Sequence, residues 1–313
     1  MASQSGDDYL PGAHFALSAR AHSPEGRRGS ASYDPPRGGP VNLFLMAGIV
    51  LAAAAVSVAV VLVVRRRIRD EATMEELDRR VPGIFAFVGT AFAVLLAFVV
   101  LEAFENYDQA REGGDTEAVT ALQISRTADG FAPAERDNFE GLLLCYARAV
   151  VHHDWPAMKN GAESSAQADL WSRKMREAML HINTDTDLRY ISLFQMQEEQ
   201  DNRTAARETR EVQAGRNVPA PMWFVLILGA LLTIAGSILY VARRGSALLQ
   251  GALVASVAAL ATASLLLVLF LDHPYEGGAG SLKPLQMERA ITTMEQEQHI
   301  ASAPCTATGD PLT

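Results

Sequence analysis

The sequence predicts an all-α membrane protein with four transmembrane helices in two hairpins and a large helical insert between spans two and three. Three observations support this fold class. The chain has four apolar stretches, at about 41–64, 82–104, 219–242 and 247–271. Each is long enough for the roughly 20 residues that a helix needs to cross a bilayer. Between the second and third lies a polar segment, 105–218, in which strand-like alternation is scarce.

Both tails look different from this membrane domain, which we place at 41–295. Residues 1–40 are rich in Gly, Pro, Ser and Arg and show no apolar periodicity, so we expect them to be disordered. They are not a signal peptide, because the first apolar run is too long for one and reads as a retained span. We also expect 296–313 to be disordered.

The distribution of basic residues indicates how the chain is oriented in the membrane. The short loops hold eight basic residues, six in 65–80 and the pair Arg243 and Arg244, against four in the N-terminal tail and two in the C-terminal tail. The positive-inside rule counts basic residues in short loops, and therefore favours an insert outside the cytoplasm. Four further arginines crowd the end of the insert and leave the side open on this count alone: Arg203, Arg207, Arg210 and Arg216.

Small residues recur every four positions in three spans, which lets neighbouring helices approach closely. The residues are Gly89, Ala93 and Ala97 in span two, Gly229, Thr233 and Ser237 in span three, and Gly251, Ala255 and Ala259 in span four. We expect a tightly packed bundle, within one chain or between subunits. The cores of the spans carry no ionisable residue, which argues against a coupled pump. A channel with an apolar or aromatic constriction passes this test.

The helix of span two continues into the insert with an acidic face, on which Glu102, Glu105, Asp108 or Gln109, and Glu112 recur at helical spacing. In an oligomer this face would gather cations at a pore mouth. In a monomer it would be an ordinary solvated face. We expect Gly113 and Gly114 to end or kink this helix.

The rest of the insert also reads as helical. An amphipathic helix through Tyr146 should stop near Pro156, and a second should cover 166–182. The stretch 187–217 starts apolar at Leu188, Ile191 and Phe194, and then interleaves Glu with Arg. That pattern is typical of a solvated helix leading into span three.

Candidate reactive groups are few. Cys145 lies on an apolar helix face and is interpreted as packing, and with Cys305 far away in sequence no disulfide can be argued. His152, His153 and Asp154 are adjacent, so their side chains diverge on a helix and a shared metal ion is not expected. No nucleotide, nucleophile or metal motif appears, and we expect no catalytic residue, cofactor or metal.

Partners are narrowed by charge. The insert has 13 basic and 20 acidic residues within a chain of net charge −9, which disfavours nucleic acid. The expected partners are the lipid bilayer, other copies of the chain and small ions.

Three segments together carry a family resemblance. They are VPGIFAFVGTAFAVLLAFVVLEAFENYDQAREGGDTEA from span two, YARAVVHHDWPAM in the insert and LDHPYEGGAGSLKP after span four. DNRTAAR, followed by a proline and Trp223, supports them. The sequence resembles the bestrophin-like membrane family, common in bacteria, with Phe92 where the family often has Tyr and HPY where HPF is usual.

The resemblance implies four spans with a helical insert in a bacterial plasma membrane. It also implies likeness to bestrophins, which are pentameric anion channels with the insert and both termini in the cytosol. That placement is opposite to the one that the charge count favours.

Local chemistry adds one more candidate. Asp272 places a carboxylate at the negative end of the span-four helix and needs a partner, such as His273 or an arginine. We predict a structural stop there, with a gating role as the alternative.

The sequence hypothesis is an oligomeric bestrophin-like ion channel, with Glu102, Glu105, Asp272 and His273 as candidate pore-mouth or gate residues. The alternative is a non-conducting membrane scaffold or sensor whose acidic insert binds a partner.

Overall fold

The computed structural model describes residues 43–67, 71–162, 164–215, 218–241, 246–297 and 303–312. The N-terminal tail that we expected to be disordered (1–40) lies outside them. Within these ranges the chain is helical, with one isolated backbone bridge between Cys305 and Pro311. The α-helices are α1 (Leu43–Arg67), α2 (Glu71–Thr127), α3 (Pro133–Ala149), α4 (Trp155–Lys159), α5 (Ala166–Met179), α6 (Asp187–Val212), α7 (Ala220–Val241), α8 (Ala247–Leu271) and α9 (Leu285–Glu297).

Among the described residues, four helices are long and apolar enough to cross a membrane, which confirms the predicted spans. They are α1, the first part of α2, α7 and α8. Helix α8 packs against both α1 and α7, and α7 packs against α2, so α1 and α2 lie on opposite sides of the bundle. Two phenylalanine rings of α2 pack directly on glycines of α7. A Cβ at Gly229 would lie 2.5 Å from Phe92 Cδ2, and a Cβ at Gly236 would lie 2.5 Å from Phe85 Cδ2.

The expectation that Gly113 and Gly114 end the helix is wrong, because α2 continues past them and runs for 57 residues. The two glycines serve close packing instead. A Cβ at Gly113 would lie 2.9 Å from the carbonyl oxygen of Ala206, and one at Gly114 would lie 3.1 Å from the Trp155 ring. Helix α6 and the Trp155 side chain therefore fit against α2 only where it lacks side chains.

The insert and the C-terminal part of the chain share one core. Buried side chains of α2, α3 and α5, such as Ile124, Tyr146 and Trp171, pack together with Met287 and Met294 of α9. The segment 303–312, which we expected to be disordered, forms a tight loop against α3 and α5. Its anchors include a hydrogen bond of 2.6 Å from Trp171 Nε1 to the Gly309 carbonyl.

The interpretation of Cys145 as a packing thiol is wrong, because Cys145 forms a disulfide with Cys305 of this loop. Sequence reasoning could not pair them, since they are 160 residues apart. The predicted stop at Pro156 is also inexact. A π-helical turn, Val150–Asp154, joins α3 to α4, so the helix continues to Lys159. Proline lacks the N–H that a regular α-helix would use here.

The predicted helix over 166–182 is confirmed as α5, with its end at Met179. The Ser165 side chain caps it by accepting a hydrogen bond from the Ala168 N–H (3.3 Å). Helix α6 is capped in the same way by Thr186. Its first turns expose Leu188, Ile191 and Phe194.

Candidate functional site

One face of α2 is left uncovered by the rest of the described chain. We call it the α2 seam, and its residues are spaced alternately four and three apart: Phe87, Ala91, Val94, Phe98, Leu101, Glu105, Asp108 and Glu112. All eight are exposed. The exposed fractions of Phe87, Phe98 and Leu101 are 76%, 68% and 62%. The seam is apolar within the span and acidic where α2 enters the insert.

The stripe Gly89, Ala93 and Ala97 lies beside the seam and is also open. A Cβ at Gly89 would meet no atom within 4 Å, and both alanines are exposed. The stripe on α8 differs, since a Cβ at Gly251 would lie 3.5 Å from Val58 of α1. Ala255 and Ala259 are half-buried. The small residues of α2 are therefore not used for packing within the described chain.

At the base of the insert, buried charges join α2 to α6. Arg210 Nε donates to Glu117 Oε2 at 2.6 Å and Arg210 Nη2 donates to Asp154 Oδ2 at 3.0 Å. All three side chains are fully buried. Tyr146 donates its hydroxyl to Glu117. We call Glu117, Tyr146, Asp154, Arg207 and Arg210 the arginine cluster.

Arg207 extends the cluster toward solvent. Its Nη2 donates to Asp169 of α5 at 2.7 Å, and its Nε donates to Glu211 at 2.5 Å. Arg203 lies one turn away, with its guanidinium 4.3 Å from the Tyr146 ring centroid. It donates to Gln200 and to Ser172. The expectation that this part of α6 is a solvated helix is therefore wrong. Its arginines turn inward because α2, α3, the π turn and α5 supply the matching groups.

The surroundings change the acidity of these groups. Burial alone would lower the pKa of Arg210, but the attraction of Glu117 and Asp154 more than reverses this and raises it. Burial raises the pKa of the Tyr146 phenol well above its ordinary value, although Arg203 opposes the shift. The guanidinium and the phenol therefore keep their protons, and the ion pairs of the cluster hold α6 to α2 and to the π turn.

The π turn sends its polar side chains in different directions. Asp154 enters the arginine cluster and also accepts from the Ser165 N–H at 2.8 Å. His153 Nε2 lies 3.2 Å from Asp310 Oδ1 of the C-terminal loop, and His152 is exposed. Among the described residues, no group of three or more His, Cys, Asp or Glu side chains is placed to hold a metal ion.

The end of α8 is tied to neighbouring helices. Asp272 is buried, and its Oδ1 accepts a hydrogen bond of 2.8 Å from the Val218 N–H just before α7. His273 Nδ1 lies 3.0 Å from the Leu269 carbonyl and 3.9 Å from Asp272 Oδ2. Tyr275 donates to the carbonyls of Ala110 and Arg210.

The four candidate pore-mouth residues thus form two separate groups. Glu102 and Glu105 are exposed on α2, and Asp272 and His273 directly follow the C-terminus of α8 and make the contacts just described. Asp272 has a structural contact, and a gating role for either group stays a prediction. Sequence reasoning missed the arginine cluster. The available signal was DNRTAARETR, where arginines recur on one face of α6.

Comparisons with known proteins agree on the fold. A family profile described as the Bestrophin-like domain matches residues 51–280. A crystal structure of a mutant bacterial bestrophin homologue from Klebsiella pneumoniae has a TM-score of 0.63 at 14% identity, and covers 80% of this chain and 99% of that one. A second structure of the homologue, solved by zinc phasing, has a TM-score of 0.57 at 14% identity, with 82% and 100% covered.

A structure described only as a membrane protein gives a TM-score of 0.59 at 16% identity, with 80% of this chain and 99% of that chain covered. No curated protein sequence matches the chain. The structural likenesses establish the fold, and the family profile spans well over half of the chain. The chain therefore belongs to the Bestrophin-like family of membrane proteins.

Proposed function

We propose that this protein is a homo-oligomeric ion channel of a bacterial plasma membrane, with the α2 seam lining its pore. The observation that carries the proposal is the continuity of the seam. A single unbroken helix carries one uncovered face from the apolar span into the insert.

The spacing of the seam supports association around an axis. Alternating steps of four and three residues keep one face of a helix directed at its partners, as in helical bundles and coiled coils. The open stripe Gly89, Ala93 and Ala97 beside the seam gives neighbouring copies a surface for close approach. One side of α2 would thus face the axis and the adjacent side the next subunit.

The composition of the seam suggests how conduction would work. Rings of Phe87, Val94 and Phe98 would narrow the pathway with apolar side chains, which control passage by excluding water. Rings of Glu105, Asp108 and Glu112 would give the adjoining vestibule a negative potential and concentrate cations there. The ion class that this arrangement favours is therefore cations. The proposal assigns the chain no catalytic chemistry, cofactor or metal.

The arginine cluster supports this assignment by fixing the pore helix. Arg210 binds Glu117 of α2 inside the insert, so α2 is held by the insert immediately beyond the acidic part of the seam. Such a support would keep copies of α2 at a constant distance from the axis.

Two measurements on purified full-length protein test the proposal. Native mass measurement should give a closed ring of several subunits, and reconstituted liposomes should pass monovalent cations. A monomer or dimer that passes no ion would contradict the channel and favour the membrane scaffold whose acidic insert binds a partner.

A further inference from the structure

The cross-link between Cys145 and Cys305 bears on the side of the membrane that holds the insert. These are the only two cysteines of the chain. Cys145 lies in the middle of the insert on α3, and Cys305 lies in the C-terminal loop, so the disulfide joins two parts on the same side of the bilayer. Both residues are buried.

The loop is built to fit its place on α3 and the π turn. Arg148 Nη1 donates to the Thr306 carbonyl at 3.2 Å, and His153 Nε2 lies 3.2 Å from Asp310 Oδ1. Gly309 has a φ of +85°, and a Cβ there would lie 2.5 Å from the Ala149 nitrogen. Only glycine allows this approach. The disulfide therefore closes a contact that other groups already specify.

We propose that the insert and the C-terminal loop face the oxidising, extracytoplasmic side of the membrane, with the two short arginine-rich loops in the cytoplasm. Structural disulfides form and persist in oxidising compartments and are rare in the cytosol. Closing this one removes two protons and two electrons from the two thiols. A protein thiol oxidase outside the cytoplasm accepts them by thiol–disulfide exchange.

The charges of the chain support the same orientation. Eight basic residues lie in the two short connections between apolar spans, 65–80 and 243–244, against four and two in the tails. In the sequence alone, the arginines at the end of the insert offset this excess of basic residues in the short connections. The structure shows that Arg207 and Arg210 are buried in ion pairs with carboxylates, and that Arg203 is buried against Tyr146. They are committed to the fold of the insert and do not act as free charges beside the bilayer.

This orientation is opposite to the cytosolic insert that the resemblance to bestrophins implied. It directs the acidic end of the α2 seam outward. The inference rests on the spans, the cross-link and the charges, and does not depend on ion conduction. Its failure and the failure of the channel proposal are therefore separate results.

The first experiment reads the redox state of the cysteines in the full-length protein. Cells of a bacterial host with normal thiol metabolism are quenched in acid, denatured and treated with a polyethylene-glycol maleimide. The wild type should show no mass shift before reduction and a double shift after it. The Cys305→Ser variant should show a single shift without reduction. A double shift of the unreduced wild type would overturn the proposal.

The second experiment reads topology without the disulfide. Single cysteines are introduced at Glu208→Cys, exposed on α6 of the insert, and at Arg66→Cys, exposed in the last turn of α1. Both are made in the background with Cys145→Ser and Cys305→Ser. A membrane-impermeant maleimide applied to intact spheroplasts should label the Glu208→Cys protein and spare the Arg66→Cys protein. Labelling of the Arg66→Cys protein alone would overturn the proposal.

Discussion

Removing the guanidinium of Arg210 should strongly destabilise the protein. Arg210 has no solvent exposure and contacts two equally buried carboxylates, Glu117 at 2.6 Å and Asp154 at 3.0 Å. In an Arg210→Met variant, both carboxylates stay in the interior without their shared cation. Leaving a buried charge unpaired costs about 3–5 kcal/mol. Spread over a domain of 150–250 residues, that loss lowers Tm by roughly 6–20 °C.

The assay is thermal loss of helical circular dichroism in detergent. The matched control is Arg126→Met, because Arg126 also pairs with a carboxylate, Glu297 at 3.5 Å, but with 60% of its side chain exposed. An exposed pair contributes at most about 1 kcal/mol, so this variant should keep nearly the wild-type Tm.

A triple variant separates charge from packing. Adding Glu117→Gln and Asp154→Asn to Arg210→Met removes the stranded charges, and should recover part of the lost Tm. Equal Tm values for the Arg210→Met and Arg126→Met variants would refute the reasoning. So would a triple variant no more stable than the single one.

Three other predictions follow from particular contacts. Gly229→Ala should lower Tm by the equivalent of roughly 1–3 kcal/mol, because the added methyl group overpacks against Phe92. The control variant Gly89→Ala has open space around it and should leave Tm unchanged or raise it. Equal losses of Tm in the two variants would contradict the packing of α7 on α2. Burial raises the pKa of the Tyr146 phenol, so the phenol ionises at a lower pH in the unfolded chain than in the folded protein. The contribution of the neutral phenol to stability is therefore present below about pH 10 and is lost as the pH rises further. Tm measured from pH 8 to 11 should therefore fall less steeply in Tyr146→Phe than in wild type, while exposed Tyr190→Phe should keep the wild-type slope. Glu105→Gln should reduce the cation preference measured as a reversal potential under a salt gradient, and exposed Glu208→Gln should not; no difference between the two would remove the acidic seam from the pathway.

Local patterns predicted the parts of the fold that depend on local physics. Hydropathy located the four spans, since length and apolarity alone decide membrane insertion. The apolar periodicity located α5, which ends at Met179.

Elements that depend on distant partners could not be predicted in this way. Gly113 and Gly114 read as a helix break because glycine weakens an isolated helix, yet Ala206 and Trp155 fill the space that they leave. The arginines of α6 read as solvated because their carboxylates come from α2, the π turn and α5. The partner of Cys145 lies 160 residues away in a segment with no periodic pattern.

The conductance of two phenylalanine variants tests the central claim most directly, that the α2 seam lines the ion pathway. Phe98 lies on the seam and Phe224 on α7, and both side chains are 68% exposed within apolar spans. Single-channel conductance in planar bilayers should rise in Phe98→Ala, because the constriction widens, and should stay at the wild-type value in Phe224→Ala. Equal conductance in the two variants and the wild type would contradict the account, since Phe98 would then face lipid as Phe224 does.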